Sequence, residues 1–291
     1  MTRPFLVGLI GNGVTPSLTP LLHMREAAAH GLAYVYRTID LSALGLPAAA
    51  VGDLVGSART LGYDALNITH PCKQLVLPHL DRVDPTAQRL GAVNTVVFED
   101  GAAVGYNTDT TGFATAVRTG LPGVPTREVV QLGAGGAGAA VADALLTLGV
   151  DRLTVVDLDP VRAERLVSEL AARFPESRVV AADADKLAAL LPEADGLVHC
   201  TPVGMAEHPG LPLDPTLLHS DLWVADIVYR PIETALLRAA RAVGCRTLHG
   251  GHMATYQAVD AFRLITGVDP DAPRMLAHLS ELAASEQRTE H

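Results

Sequence analysis

"VVQLGAGGAGAAVADAL", residues 129–145, decides the fold. A β-branched run meets a cluster of glycines, and the cluster opens directly into a stretch of helical composition. Gly133, Gly135 and Gly138 are spaced G-x-G-x-x-G. In that pattern the first glycine permits the tight turn and the second lets the backbone approach a pyrophosphate. The third allows close packing of helix on strand, with the phosphate at the helix N-terminus. Asp157 ends the next β-rich run about 20 residues further on, where the ribose-binding acid of such a unit belongs. A helix cap is the competing role for Asp157, but Asp159 before Pro160 fills it better. The cofactor set read from this region is Gly133, Ala134, Gly135, Gly136, Ala137, Gly138, Asp157 and Arg162.

Asp157 also bears on which dinucleotide binds. A carboxylate there accepts from the ribose hydroxyls and repels a 2′-phosphate, whereas an NADP site wants Arg nearby. Leu158, Asp159 and Pro160 follow, all unsuited to phosphate, and Arg162 is the nearest positive charge, one helical turn later. NAD is therefore predicted over NADP.

Outward from this loop the same alternation continues. Strands are predicted at "REVVQLGA", "RLTVVDLD", "RVVAAD", "GLVHCTP", "LWVADIVY" and "RTLHG". Helices are predicted over 136–149, 160–173, 185–191 and 233–243. Such alternation argues a parallel, doubly wound α/β sheet. Before it lie candidate strands at 5–11, 34–40, 65–69 and 93–99, with helical segments near 18–30, 47–61 and 73–80. "EDG" at 99–101 signals a hairpin into "AAVGYNTD". "GLPGVPT" (120–126) has the Pro/Gly content of an interdomain link. From Gly251 one helix is predicted to about 266 and another from about 271, both expected to pack on the first domain. The predicted domains are 1–108 plus 252–291, mixed α/β, and 109–251, Rossmann-like.

Composition narrows the partners. A formal charge of −10 without any basic run argues against nucleic acid and anionic membranes. Three scattered cysteines, Cys72, Cys200 and Cys245, read as reduced thiols of a cytoplasmic protein. The short apolar run at the N-terminus stops at Gly-Asn-Gly and does not read as a signal peptide. Cys245, His249 and His252 look like a ligand set, but their spacing matches no standard zinc site, and no metal is expected.

The first domain carries a different chemistry. Ser17, Thr19, Asn67, Thr69, Asn94, Asn107 and Asp109 fall at the ends of apolar strands, which suits a small polyhydroxylated or carboxylated ligand. Among 22 Lys and Arg only Lys73 and Lys186 are Lys. Arg supplies charge equally well, but it cannot release a proton at accessible pH. A Lys in "NITHPCKQ" (67–74) therefore tilts toward proton transfer, against the alternative of a solvent-facing side chain.

Taken in order, "NITHPCKQ", "LGAVNTVV", "GYNTD", "GAGGAG", "CTPVGM", "DIVYRPIETALL" and "GGHMATYQAVDAF" resemble the successive motifs of the shikimate/quinate dehydrogenase family. The resemblance covers nearly the whole chain. It implies a substrate domain followed by a Rossmann-like domain, with the C-terminal helices returning to the first and the active site in the cleft between. It implies Lys73 and Asp109 as the catalytic pair, and Ser17 and Thr19 as hydroxyls on the substrate carboxylate. Asn67, Thr69, Asn94, Gln257 and Tyr229 would contact the substrate, and Thr201, Val203, Met205 and Met253 would surround the nicotinamide. Two departures matter. NADP-linked members usually carry Asn-Arg-Thr where this chain has Asp157, Leu158 and Asp159. They also usually carry Ser-x-Ser where this chain has Ser17-Leu18-Thr19, a version similar to NAD-linked quinate/shikimate dehydrogenases.

The expected activity is NAD-dependent interconversion of quinate with 3-dehydroquinate and shikimate with 3-dehydroshikimate. A homodimer is the oligomeric state it admits. The alternatives are a biosynthetic shikimate dehydrogenase with relaxed cofactor use, a dehydrogenase of an amino analogue of quinate, and a non-catalytic ligand sensor.

Overall fold

The computed structural model describes residues 3–289, with side chains as far as 285. It divides into two compact units, Met1–Thr108 with Gln257–His291, and Asp109–Tyr256.

The first unit is built on six strands, β1 (Phe5–Gly11), β2 (Tyr34–Asp40), β3 (Ala65–Ile68), β4 (Arg82–Val83), β5 (Thr95–Glu99) and β6 (Ala102–Tyr106). Their order is β2-β1-β3-β5-β6-β4. β1 runs parallel to β2 and β3, while β5 is antiparallel to both β3 and β6. The β5–β6 hairpin turns on Asp100 (φ 49°) and Gly101 (φ 81°). Two consecutive positive φ angles match the twist of the strands, and Asp-Gly is the pair that tolerates them. The sheet is covered on both faces. Ile10, Leu66, Ile68 and Val96 join one buried cluster, and Val7, Leu9, Ala65 and Val97 join the other. Successive residues of a strand point to opposite faces, so a two-sided core demands such continuous apolar runs.

Helices α1 (Thr19–Ala29), α2 (Leu41–Leu44), α3 (Val51–Thr60) and α4 (Pro85–Leu90) belong to this unit. The helix expected near 73–80 does not form. Residues 70–76 are turns, followed by one 3-10 turn at Leu77–His79. Pro78 has no N–H to donate, and the stretch between Pro71 and Pro78 is too short to sustain α-helix.

In the second unit β7 (Glu128–Leu132), β8 (Arg152–Val156), β9 (Arg178–Ala182), β10 (Gly196–His199), β11 (Trp223–Asp226) and β12 (Arg246–His249) are all parallel. Their order is β12-β11-β10-β7-β8-β9. The chain moves outward from β7 in one direction, then returns to β10 and moves outward in the other. That reversal is the topological switch point of a doubly wound sheet, where ligands bind at the carboxyl ends of the strands. The helices are α5 (Asp109–Gly120), α6 (Gly136–Thr147), α7 (Pro160–Arg173), α8 (Leu187–Leu190) and α9 (Ala235–Ala242). Val129, Leu153, Val155 and Val198 face one core, and Val130, Val156, Leu197 and Val224 the other.

The boundary between the units falls inside α10 (Gly250–Thr266), after Tyr256. The last helix, α11 (Ala272–Thr289), is tied to α1 by charge. Glu26 is fully buried and accepts from Arg274 Nη2 at 2.6 Å, Arg274 Nε at 2.9 Å and the Asp271 N–H at 2.8 Å. A buried carboxylate is tolerated only with its lone pairs filled in this way. No described helix is long and apolar enough to cross a membrane.

Candidate functional site

In the first unit every residue picked out for the substrate pocket, other than Gln257 on α10, lies at one edge of the sheet. β1 and β3 are parallel, so their carboxyl ends coincide. β5 starts there, being antiparallel to β3, and β6 ends there. This brings together the segments holding Ser17 and Thr19 after β1, Asn67, Thr69 and Lys73 at the end of β3, Asn94 before β5 and Asn107 after β6. Gln257 is half-buried. The turn carrying Lys73 is held at both ends. The Thr69 N–H donates to Ile10 O at 2.9 Å, and Lys73 O accepts from the Val93 N–H at 2.8 Å.

The Ser17–Thr19 loop has its own anchor, missed by the sequence reading. Asp40, at the end of β2, accepts from Thr15 Oγ1 at 2.7 Å and from the N–H groups of Thr15 and Gly13, both at 2.9 Å. It also caps α2 through the Ser42 N–H at 3.1 Å. The Thr15 hydroxyl, followed by these backbone donors, holds the Asp40 carboxyl down to about 2, below its ordinary 3.8. A depressed folded-state value stabilises the fold above about pH 4, and that stabilisation is lost as pH falls toward about 2. Asp40→Asn keeps a capping oxygen but no charge. Its thermal midpoint is expected to depend less on pH between about 4 and about 2 than that of the parent protein, with the curves converging at the acid end. Unfolding followed by circular dichroism across that range checks this.

Asn67 and Asn94 are both buried and share one hydrogen-bond network. Asn67 Oδ1 accepts from Tyr36 Oη at 2.5 Å, and Asn67 Nδ2 donates to Thr95 Oγ1 at 3.0 Å. Thr95 Oγ1 donates to Asn94 Oδ1 at 3.0 Å. Asn94 Nδ2 donates to Thr108 Oγ1 at 2.9 Å. Tyr36, Thr95 and Thr108 were not singled out in the sequence.

In the second unit the glycine loop takes the geometry a dinucleotide needs. Gly133 has φ +99°, and a Cβ there would lie 2.7 Å from Cys200 O. A Cβ on Gly138 would lie 2.3 Å from Gly133 O, so the first turn of α6 can close on β7 only without one. At Gly135, the N-cap of α6, nothing lies within 4 Å of a Cβ position. The N-terminus of α6 therefore opens onto free space with its N–H groups unspent by side-chain caps. These residues fit a pyrophosphate.

Asp157 follows β8. Its carboxylate accepts from the Ala134 N–H at 2.7 Å and from the Asp159 N–H at 2.9 Å. Arg162 reaches it at 3.5 Å and reaches Asp159 at 3.2 Å. The Arg162 guanidinium is thus spread over two carboxylates. Asp159 caps α7, accepting from the Arg162 N–H at 3.2 Å.

Thr201, Val203 and Met205 follow β10, Tyr229 follows β11, and Met253 lies in α10 after β12. Parallel strands place these segments at the same edge as the glycine loop. A buried relay joins two of the loops. His199 Nδ1 lies 2.9 Å from Asp226 Oδ1, and His199 Nε2 lies 2.6 Å from Thr201 Oγ1. Nδ1 faces an acceptor-only carboxylate, so it donates. Asp226 also accepts from the Val228 N–H at 3.0 Å and from Thr234 Oγ1 at 2.7 Å. His199, Asp226 and Thr234 were also missed by the sequence reading. Asp109 is buried at the start of α5.

His249 and His252 pack with ring centroids 4.5 Å apart. Burial, then the neighbouring His252 ring, pulls His249 down to about 4. Cys245 is not with them; its thiol donates to His219 O at 3.2 Å. Among the described residues no group of three or more His, Cys, Asp or Glu could hold a metal ion.

With this geometry in hand, comparison with known proteins is specific. Residues 9–96 match the model described as the shikimate dehydrogenase substrate binding domain, and residues 129–205 match the saccharopine dehydrogenase NADP binding domain. The chain is 62% identical to shikimate dehydrogenase (NADP(+)) of Streptomyces avermitilis, over 97% of each protein. It is 50% identical to quinate/shikimate dehydrogenase (NAD(+)) of Corynebacterium efficiens, over 94% of this chain and 96% of the other. Among solved structures, quinate dehydrogenase from Corynebacterium glutamicum in complex with NAD superposes with a TM-score of 0.91 at 48% identity. That match covers 96% of this chain and all (100%) of the other.

Proposed function

This chain belongs to the shikimate/quinate dehydrogenase family, and we propose that within it the protein is an NAD-linked dehydrogenase acting on quinate and shikimate. The observation that carries the cofactor reading is Asp157. Its carboxylate closes the glycine loop through Ala134, its Oδ2 has lone-pair capacity left for ribose hydroxyls, and Leu158 and Asp159 supply no phosphate clamp. Arg162 is engaged by Asp157 and Asp159. The kinship with an NAD-linked quinate/shikimate dehydrogenase at 50% identity supports the same reading.

The glycine loop and Asp157 would hold the dinucleotide, which when bound would supply the hydride acceptor for the substrate's ring carbinol. Lys73 accepts the proton of the same hydroxyl, so that the C–H and O–H bonds are lost together and a ketone forms. Asp109, the second member of the pair, contacts a substrate hydroxyl. Ser17 and Thr19 hold the substrate carboxylate, and Asn67, Thr69, Asn94, Gln257 and Tyr229 fix its hydroxyls. His199 and Asp226 keep Thr201 in place beside the nicotinamide, with Val203, Met205 and Met253 forming its apolar wall. The extra methyl of Thr19, compared with Ser, reshapes the carboxylate end of the pocket, where quinate and shikimate differ.

A second reading has its own support. Relatives at 62% and 60% identity carry the name shikimate dehydrogenase (NADP(+)). Steady-state kinetics with quinate and shikimate, each with NAD and NADP, separate the two. Turnover of both substrates with kcat/KM for NAD at least about 10-fold above NADP is the expected result, the scale of one lost or misplaced charged hydrogen bond. Turnover of shikimate alone, with NADP preferred, selects the biosynthetic enzyme. Binding without turnover selects a ligand sensor.

A further inference from the structure

We infer that Thr95 is a positioning residue that passes the hydrogen-bond polarity of Asn94 on to Asn67, so that Asn67 meets a substrate hydroxyl as an acceptor. The inference rests on the reading that Asn67 and Asn94 hold substrate hydroxyls. Thr95 is fully buried and faces Asn67 directly across the β3–β5 ladder. It acts through the amides and not on a ligand.

The proton arrangement follows from a single backbone donor. The Thr108 N–H can only donate, and it lies 2.9 Å from a side-chain atom of Asn94, which is therefore the oxygen Oδ1. Thr95 Oγ1 lies 3.0 Å from the same oxygen, so the hydroxyl spends its one proton there. What faces Thr95 from Asn67 at 3.0 Å must then be a donor, Nδ2. Asn67 Oδ1 is left facing Tyr36 Oη at 2.5 Å, and the phenol donates. The second Asn67 N–H points at Asn94 O at 3.5 Å. Both donors of Asn67 are thus directed into the protein, and its remaining capacity is a lone pair on Oδ1. A hydroxyl bound there has to give its proton. Without the Thr95 hydroxyl Asn94 keeps the orientation that the Thr108 N–H dictates, but Asn67 loses the acceptor that holds its Nδ2 inward and is free to turn a donor toward the ligand.

Thr95→Val removes the hydroxyl at nearly constant volume, and Thr95→Ser restores it. With shikimate as the probe, Thr95→Val is expected to raise KM for shikimate about 10-fold, the scale of one misoriented hydrogen bond, with KM for NAD unchanged. Thr95→Ser is expected to return KM for shikimate to within about twofold of the parent. Equal shikimate KM in Thr95→Val and the parent overturns the inference, as does a serine variant that behaves like valine. Should Thr95→Val not fold, Thr95→Ala also removes the hydroxyl and carries the same expectation. A parent protein that turns over neither shikimate nor quinate defeats the functional reading instead. The relay is then tested in the ligand-free protein by the side-chain amide resonances of Asn67 and Asn94. They are expected to shift in Thr95→Val and recover in Thr95→Ser; unmoved resonances overturn it.

Discussion

Lys73→Ala is expected to lower kcat for shikimate oxidation by about 10²- to 10⁴-fold, the usual contribution of one positioned general base. The dissociation constant for NAD is expected to stay within about twofold, because the dinucleotide is proposed to rest on the glycine loop and Asp157. Pre-steady-state measurement of NADH formation, with NAD binding followed by fluorescence, reads both quantities. The more discriminating variant is Lys73→Arg. Arginine keeps the positive charge and much of the length but cannot give up its proton in the accessible pH range. If Lys73 served only to attract the substrate carboxylate, Lys73→Arg would retain turnover. The proton-transfer role predicts that it falls nearly as far as alanine. An enzyme with near-normal kcat in either variant would falsify the assignment.

The second large effect concerns cofactor choice. Asp157→Ser removes a carboxylate that bonds the Ala134 and Asp159 N–H groups and is proposed to hold the ribose hydroxyls. Hydrogen bonds to a charged group are worth about 1.5–3 kcal/mol each, so kcat/KM for NAD is expected to fall by about 10- to 100-fold. Removing the repulsion of a 2′-phosphate works in the opposite direction for NADP. It also leaves Arg162 with Asp159 as its one remaining carboxylate partner among the described contacts. The ratio of kcat/KM for NAD over NADP is therefore expected to move toward NADP. A ratio that stays put in Asp157→Ser would show that specificity is set elsewhere. Measuring both cofactors with saturating shikimate decides it.

Much of the architecture was legible because its signals are local. The helix predicted over 160–173 is α7 (Pro160–Arg173), with Asp159 capping it and Pro160 opening it. "EDG" is a two-residue turn because Asp and Gly adopt positive φ there. The glycine spacing reports a steric requirement of its own neighbourhood, the approach of α6 to Gly133 O. The stretch at 73–80 failed for an equally local reason: the prolines at either end outweighed its helix-forming composition.

The residues that escaped notice have distant partners. Tyr36 and Asn67 are 31 positions apart, Asn67 and Thr95 are 28, and His199 and Asp226 are 27. In the sequence Thr95 is one β-branched residue among many, and Tyr36 and His199 read as ordinary strand residues. Their roles exist only once strand order and register are set. The sequence by itself determined the two-unit α/β plan, the dinucleotide loop and which polar side chains end up near strand termini, because backbone propensity, glycine sterics and apolar periodicity act over a few residues. Only the tertiary structure decided how those side chains are oriented. An amide or an imidazole has no preferred donor direction of its own, and each acquires one from the partner that strand pairing brings within 3 Å.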